Sequence, residues 1–379
     1  MMKLAVCNDI AEFGGNRLAD KRWAARFPGA GWVSALCDLA AKRGWEVASG
    51  DVALSHVQCG YWRADDIMVI QELDSAWGTR LRAAGARPLL LTCMESPLYA
   101  SLFFDHWRTL AAPFPHHMVP DPEARGSHSA GSSTGWPLRF PCYWQHQRIH
   151  ADDWQARKDE VILVAANKYW SHEDKAVIPP WTRPRSFLQW YRQTRAIKRS
   201  PSREYALRQQ LHDIRLEAIV ALTRADRLAL YGSGWDRLSV LPQQWQTRLA
   251  GLKLPYWGKI DDKLGAQSAY RFALCFENIA SPGYVTEKII EAMVARTIPI
   301  YLGAPDISHV IPSAAFIDAR KLQSMAQLPD MLKSLSSKDA QPMIEAGQRF
   351  LDSEEGRLHS YEGFAQWVEG LAVEHAHGI

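Results

Sequence analysis

A strand–helix–strand unit can be read in Tyr270-Arg-Phe-Ala-Leu-Cys-Phe-Glu-Asn278, followed by Thr286-Glu-Lys-Ile-Ile-Glu-Ala-Met-Val-Ala295 and Ile298-Pro-Ile-Tyr-Leu302. Apolar runs predict strands over Arg271–Phe276 and Ile298–Leu302, of the kind that parallel sheets cover on both faces. Between them, apolar residues at helical spacing predict a helix from about Thr286 to Ala295. The stretch therefore predicts a βαβ unit of an α/β fold.

The same alternation extends outward in both directions. Further strands are predicted over Lys3–Cys7, Glu46–Ala48, Ile67–Gln71, Pro88–Met94, Val161–Ala165 and Leu228–Tyr231. Helices are predicted over Val33–Arg43, which Gly44 ends, from Ser96-Pro97 to about Leu110, and over Arg203–Ala225. Two halves rich in βα units predict an α/β architecture of two Rossmann-like domains facing a cleft.

Length and composition place the domain borders. The 379 residues are enough for about two domains. We expect an N-terminal domain over residues 1–150, a second domain over 151–345 and a C-terminal helical segment over 346–379. A polar, Gly/Ser-rich stretch between Pro120 and Trp136 precedes the first border and predicts a flexible loop.

Charge and cysteine usage exclude several classes of protein. The 44 basic and 41 acidic residues give a net charge of +3, without a long Lys/Arg run, so no nucleic acid is expected as a partner. The six cysteines form no Cys-x-x-Cys pair, which predicts buried free thiols in a reducing compartment.

The apolar segments predict a protein without a membrane anchor. Polar Asn8 and Asp9 come too early for a signal peptide, and no segment approaches the ~20 apolar residues that cross a bilayer. A cytoplasmic location follows as an expectation, and peripheral contact with a membrane is compatible with it.

Three polar residues lie at or just before the start of the helix predicted from about Thr286. This is the sheet edge where ligands bind in doubly wound folds. Asn278 follows a strand, whereas Glu287 and Lys288 lie in the first turn of the helix. Lys288 can present a cation beside the helix N-terminal amides, which suits a diphosphate, and Glu287 can accept hydrogen bonds from ribose hydroxyls. The alternative is an amphipathic helix whose charged face is merely solvated.

A family resemblance supports the binding interpretation. The ordered series Tyr-Arg-Phe-x-Leu-x-Phe-Glu-Asn, Gly283-Tyr-Val-Thr-Glu-Lys-Ile, Thr297-Ile-Pro-Ile-Tyr-Leu-Gly and Pro312-x-x-x-Phe-Ile-Asp resembles the donor-binding signature of glycosyltransferase family 10, the α-1,3-fucosyltransferases, in its bacterial form. The match is continuous over residues 263–318 and weaker back to about residue 160. It implies a GT-B fold and a GDP-fucose donor.

The resemblance also implies which residues contact the guanosine diphosphate. Carried over position by position, they are Arg215, Asn278, Tyr284, Glu287 and Lys288. Arg215 and Lys288 would neutralise the leaving diphosphate. The alternative for Arg215 is an ordinary surface residue of its helix.

The general base is expected in the first half of the chain. Leu-Leu-Leu-Thr-Cys-Met-Glu95-Ser-Pro resembles a family segment whose glutamate is the base. The alternative is an idle carboxylate at a helix N-terminus, where the helix dipole would keep it ionised. If Glu95 is not the base, Glu72, which follows the preceding apolar strand, is the next candidate.

No metal ligand set is recognised. The chain contains no Asp-x-Asp, the usual carboxylate pair for a diphosphate-bound ion, and His116-His117 and His375-x-His377 lack supporting carboxylates. We therefore expect no tightly bound cofactor and no requirement for a divalent ion, although stimulation by one is compatible with this expectation.

These inferences predict an inverting α-1,3-fucosyltransferase. Its partners would be GDP-fucose and an oligosaccharide or glycolipid acceptor, such as a bacterial surface polysaccharide or O-antigen unit of lipopolysaccharide biosynthesis. The alternatives are a transferase of the same fold that uses another sugar nucleotide, and a catalytically silent glycan-binding protein. The acceptor, the linkage and the oligomeric state are left open by the sequence.

Overall fold

The structure is a computed structural model, and it describes residues 1–24, 26–27, 29–121, 138–150, 153–169, 192 and 194–377. The predicted flexible loop between Pro120 and Trp136 lies almost entirely outside these residues. In the described ranges no helix is long and apolar enough to cross a membrane.

The first half of the chain forms a five-stranded parallel sheet of order β2-β1-β3-β4-β5. Its strands are β1 Lys3–Cys7, β2 Glu46–Ser49, β3 Ile67–Glu72, β4 Arg87–Thr92 and β5 His116–Met118. The four predicted strands are confirmed within two residues at each end. Strand β5 was not predicted, because its three residues include two polar histidines and show no apolar run.

Helices connect these strands and cover the sheet. They are α1 Lys21–Ala24, α2 Gly31–Lys42, α3 Gly50–Gln58, α4 Ala76–Ala83, α5 Ser101–Phe104 and α6 Trp107–Ala111. The predicted end of α2 is confirmed: Gly44 has φ +69°, the left-handed conformation that glycine adopts without strain at this position.

The second half repeats the arrangement in a parallel sheet of order β10-β9-β8-β6-β7. Its strands are β6 Lys158–Val164, β7 Leu228–Tyr231, β8 Tyr270–Phe276, β9 Ile298–Leu302 and β10 Ile317–Asp318. Its helices, together with those of the C-terminal segment, are α7 Pro201–Arg208, α8 His212–Arg224, α9 Gln243–Ala250, α10 Lys263–Ser268, α11 Glu287–Val294, α12 Leu328–Ser334, α13 Ser337–Asp352, α14 Glu354–Arg357 and α15 Tyr361–His377. The opening βαβ unit is β8-α11-β9.

The single helix predicted over Arg203–Ala225 is wrong. The chain breaks between α7 and α8, where Gln210 bridges Ile279 and the Leu211 amide donates to the Asn278 carbonyl at 3.0 Å. Pairing with the segment after β8 replaces the intrahelical bonds, which helical propensity cannot foresee.

The long helix predicted from Ser96 is also wrong. Residues 96–100 form a turn in which the Tyr99 and Ala100 amides donate to the Ser96 carbonyl, and α5 and α6 follow as two short helices. The Ser96 hydroxyl is buried and has no hydrogen-bond partner within the described parts of the chain, so it does not cap a helix there.

The last helix returns to the first sheet. Phe364 of α15 packs edge-to-face on Trp32 of α2, with ring centroids 5.2 Å apart, and Glu369 pairs with Arg43. Tyr361 lies so close to Gly31 that a Cβ there would come within 2.7 Å of its ring. The C-terminal segment therefore ties the two halves together in a two-sheet, GT-B-type architecture.

The cysteines are free, as predicted. Cys7, Cys93, Cys142 and Cys275 are buried, whereas Cys37 is half-buried and Cys59 is exposed. The domain borders at residues 150 and 345 and the reducing compartment stay predictions.

Candidate active site

The candidate donor-binding residues gather at the carboxyl edge of the second sheet. Strand β8 ends at Phe276, Glu277 and Asn278 follow it, and α11 begins at Glu287 beside them. Both the strand and the inner face of the helix are apolar and buried, so the polar residues can only occupy the end of the unit. Ligands of doubly wound sheets bind at this edge.

Glu277 is the centre of this arrangement, and the sequence reasoning gave it no role. Its carboxylate is fully buried and accepts hydrogen bonds from the Thr286 amide at 2.8 Å and from the Thr286 hydroxyl at 2.8 and 3.0 Å. Lys288 Nζ donates to it at 2.9 Å. A carboxylate directly after the apolar end of a strand, whose last five residues are buried, was the available signal, because an ionised group there needs partners.

Lys288 and Glu287 are held in a compensated charge network. Lys288 Nζ lies 2.8 Å from the Thr286 hydroxyl and 3.4 Å from a Glu287 oxygen. Burial lowers the pKa of Lys288, but Glu277 and Glu287 outweigh it and the net shift is upward. Burial raises the pKa of Glu287, but the charges of Lys288 and Lys263 outweigh burial, and the net pKa is about 2. Both groups are therefore charged at neutral pH.

The alternative of a merely solvated charged face on α11 is wrong for Glu291. This residue is 5% exposed and pairs with Lys263 of α10. The side of α11 that carries Glu291 is therefore covered by α10 in the folded chain. Lys263 was missed because it lies 24 residues before Glu287 with no motif to connect them.

Arg215 is not a surface residue. It is 5% exposed, and its Nη2 donates to the carbonyls of Phe276 at 2.8 Å and Glu277 at 2.9 Å and to Asn278 Oδ1 at 3.3 Å. Its Nε is buried, and none of the described residues hydrogen-bonds to it. Burial lowers the pKa of Arg215, although Glu277 opposes the shift. The break before α8 lets Leu211 pair with Asn278, which draws the start of α8 onto the end of β8.

Tyr284 occupies a different environment from the other four candidate donor-binding residues. It is 3% exposed and belongs to the hydrophobic cluster that includes Leu98 of the first half and Tyr361 of α15. Burial raises the pKa of its phenol, and Glu277 and Glu95 add to the shift. The ring thus packs where the two halves of the chain meet, within electrostatic range of both carboxylates.

The carboxyl edge of the first sheet opens into a cavity of about 580 Å³. Asn8 after β1, Glu72 at the end of β3 and Glu95 after β4 line it. Asn8 Nδ2 donates to Glu72 Oε2, and the Cys93 thiol donates to the Glu95 carbonyl at 3.3 Å. The cavity therefore contains both carboxylates that the sequence analysis named as base candidates.

Glu95 differs from the expectation in its electrostatics. No helix starts beside it, since the next one begins at Ser101, so the alternative of an idle carboxylate that a helix dipole keeps ionised is wrong. Desolvation raises the pKa of Glu95 and Glu287 adds to the shift, whereas Lys168 and Lys288 oppose it. Glu95 is therefore within electrostatic range of Glu287 and Lys288 at the donor-binding edge, because charges act strongly only over short distances.

Lys168 is a third residue, after Glu277 and Lys263, that sequence reasoning missed. It follows β6, is exposed, and its Nζ lies 5.6 Å from the centroid of the Tyr99 ring. It therefore reaches from the second half of the chain to the wall of the cavity in the first. Its position one residue after Asn167, near the end of an apolar strand, was the only signal.

Comparison with known proteins bears on the second half. Residues 213–343 match the family model described as "Glycosyltransferase family 10 (fucosyltransferase) C-term". This part of the chain is a glycosyltransferase family 10 domain. Arg215, Asn278, Tyr284, Glu287 and Lys288 all lie inside the family 10 domain, whereas Glu95 and Glu72 lie outside it.

The similar sequences match over short stretches. An α-(1,3)-fucosyltransferase, FucT, of Helicobacter pylori is 32% identical over 98 residues, which are 26% of this chain and 20% of the relative. An α-(1,4)-fucosyltransferase of Arabidopsis thaliana is 40% identical over 70 residues, 18% of each chain. The matched part thus spans about a fifth of the length of these curated relatives.

A solved structure supports the fold over the whole length. A glycosyltransferase from Rickettsia africae superposes with a TM-score of 0.53 at 11% identity and covers 98% of both chains. The family 10 domain therefore sits in a two-sheet GT-B architecture, as the sequence predicted.

Proposed function

We propose that this protein is an inverting α-1,3-fucosyltransferase that transfers L-fucose from GDP-fucose to a hydroxyl of a glycan. The observation that carries the proposal is that Glu95 lines a cavity of about 580 Å³ and lies within electrostatic range of Lys288. A base on one side and cations on the other are what a displacement at a sugar carbon requires.

In the proposed reaction Glu95 accepts the proton of the acceptor hydroxyl while that oxygen attacks C1 of fucose. The bond from C1 to the diphosphate breaks on the opposite face, and GDP leaves with the electron pair. Attack opposite the leaving group converts the β-linked donor into an α-linked product. The raised pKa of Glu95 suits this role, because a stronger base accepts the proton more readily.

Arg215 and Lys288 stabilise the charge that develops on GDP. Lys288 is already fixed by Glu277 and Thr286, so little reorganisation precedes the reaction. Glu287, ionised at neutral pH, accepts hydrogen bonds from the ribose hydroxyls, and Asn278 completes the polar edge. Tyr284 supports the edge from the buried side.

We further propose that no divalent ion is required, because these two cations can neutralise the diphosphate. The described residues contain no group of three or more His, Cys, Asp or Glu side chains suited to a metal ion. The acceptor is a glycan such as a bacterial surface polysaccharide or O-antigen unit, reached from the cytoplasm.

The test is GDP release by the purified protein across a panel of sugar nucleotides, with and without glycan acceptors. We expect acceptor-dependent release that is highest with GDP-fucose. A preference for another sugar nucleotide would replace the donor assignment. Binding of GDP and glycan without release would instead indicate a silent glycan-binding protein.

A further inference from the structure

The cavity of the first sheet has walls of two kinds. Its floor lies at the crevice between β1 and β3, where the strand order reverses, the usual ligand position in such sheets. Tyr99, Leu102 and Phe103 provide an apolar and aromatic side. An apolar wall facing a polar floor suits a pyranose ring, which has apolar faces and hydroxyl edges.

The charge of the floor is one-sided. Among the described lining residues are the carboxylates of Asp9, Glu72, Asp74 and Glu95, and there is no lysine or arginine. Two of these four carboxylates already interact with other groups of the protein. Asp9 accepts from the Ser75 hydroxyl at 2.6 Å and from the Ala76 amide at 2.8 Å, and so caps α4. Asp74 lies 3.3 Å from His106 Nε2.

The Glu72 carboxyl uses only one of its two oxygens as an acceptor within the described residues. Its Oε2 accepts from Asn8 Nδ2, and within the described parts of the chain no donor reaches its other oxygen. The following residue, Leu73, has φ +53°, a left-handed conformation that costs a non-glycine residue about 1–2 kcal/mol. Strained backbone of this kind accumulates at ligand sites, where the fold holds a side chain in a required place.

Glu72 and Glu95 act on the same space from adjacent strands. Glu72 pairs in register with Thr92, so Glu95 follows only three residues beyond its neighbour on β4. Burial raises the pKa of Glu72 to about 7; the Asn8 hydrogen bond opposes this shift, and the charge of Glu95 adds to it. Neither the capping role of Asp9 nor the Asp74–His106 pair explains why a second carboxyl is kept beside the base.

We propose that Glu72 binds the acceptor sugar, accepting a hydrogen bond from a second hydroxyl while Glu95 takes the proton of the reacting one. The reacting sugar unit is therefore uncharged, and units that carry a carboxylate, such as uronic acids, are excluded by repulsion from the two glutamates. This inference rests on the proposed function, because it assigns the substrate class of the same cavity.

The test compares Glu72→Gln with wild type on two acceptors of equal length, one ending in a neutral hexose and the other in the corresponding uronic acid. Gln keeps the shape and can still accept from Asn8, but its oxygen is a weaker acceptor than a carboxylate. We expect the KM for the neutral acceptor to rise about tenfold with a smaller change in kcat. The wild-type preference for the neutral acceptor should shrink by a similar factor.

Two controls separate this result from a general loss. Glu46→Gln, at the opposite edge of the same sheet, should change neither the KM nor the preference. The affinity for GDP should be the same in all three proteins. An unchanged acceptor KM together with an unchanged preference in Glu72→Gln would overturn the inference.

The inference stays testable if the proposed transfer fails. Should wild type release no GDP with any acceptor, binding of the two glycans is measured directly by saturation-transfer NMR. Weaker binding of the neutral glycan by Glu72→Gln, with a reduced discrimination against the acidic one, would still support the acceptor role of Glu72. Equal binding of both glycans by both proteins would refute it.

Discussion

The two sheets have the same strand order but handle charge at their carboxyl edges in opposite ways. At the edge of the second sheet three glutamates each have a lysine beside them: Lys288 lies between Glu277 and Glu287, and Lys263 pairs with Glu291. At the edge of the first, Glu72 and Glu95 face a cavity whose described lining residues include no lysine or arginine, and both have raised pKa values.

The difference teaches what each edge is suited to do. A compensated network fixes permanent charges and keeps them ionised, which suits binding of a diphosphate and a ribose. A carboxyl with a raised pKa is a stronger proton acceptor than an ordinary one, which suits a base. One topology thus supports two chemistries because only the loops after the strands differ.

The largest effect is expected from Glu95→Gln. Removing a general base costs about 10²–10⁴-fold in kcat, while folding and GDP affinity should be unchanged because the shape is nearly preserved. Turnover with GDP-fucose and an acceptor measures the loss, with Glu46→Gln as the matched control. In wild type, kcat should rise with pH through a value above the ordinary range for glutamate, since the base must be ionised. Near-normal transfer by the variant would remove Glu95 from the mechanism and make Glu72 the next candidate.

The second-largest effect is expected on the free energy of unfolding, from substitution of Glu277 at the edge of the second sheet. Glu277→Ala leaves Lys288 without its main partner and should lower the free energy of unfolding by about 3–5 kcal/mol. Glu345→Ala, which breaks an exposed ion pair with Arg349, should cost at most about 1 kcal/mol. Urea denaturation measures both. Equal losses in the two variants would mean that the compensated network is no more than a surface feature.

Lys288→Ala should weaken GDP binding by about 1.5–3 kcal/mol, the range for a hydrogen bond to a charged group. Arg215→Ala should have a similar effect on binding and a larger one on turnover, because its contact strengthens as charge develops. Isothermal titration with GDP and steady-state kinetics separate these two effects. If neither binding nor turnover changed in either variant, the donor site would lie elsewhere.

The next prediction concerns the pH dependence of the stability that Glu72 contributes. Because the pKa of Glu72 is raised to about 7, its contribution to folding is fully present below its ordinary pKa and is lost as pH rises through 7. Its surroundings, Glu95, Cys93, Asp9 and Asp74, supply no cation that would reverse this sign. Glu72→Gln should therefore be more stable than wild type by about 3 kcal/mol at pH 8 and nearly equal to it at pH 4. Thermal unfolding at both pH values checks the prediction, and a destabilised variant at pH 8 would contradict it.

The smallest effect is expected from chelation. If Arg215 and Lys288 neutralise the diphosphate, removing divalent ions with EDTA should change turnover by no more than about threefold. Turnover before and after chelation, with Mg²⁺ added back, measures this. Complete loss that Mg²⁺ reverses would show that the two cations do not suffice.

Local pattern predicted much of this protein, because strand and helix periodicity are properties of neighbouring residues. The βαβ unit from Tyr270 to Leu302, the other long strands and the end of α2 at Gly44 followed from it. A helix prediction failed where a segment distant in sequence supplies the backbone hydrogen bonds that a helix would otherwise make. Gln210 pairs with Ile279, 69 residues away, and interrupts a stretch whose composition favours a helix.

The sequence by itself thus determined the α/β class, the family resemblance and the residue types available at each strand end. Only the tertiary structure decided their electrostatic states: that Glu277 holds Lys288, that Lys263 covers Glu291, and that Glu95 lies beside a raised-pKa Glu72 rather than at a helix N-terminus. The reason is physical. Burial and the distances between charges set a pKa and the strength of an ion pair, and both depend on which remote segments fold against one another.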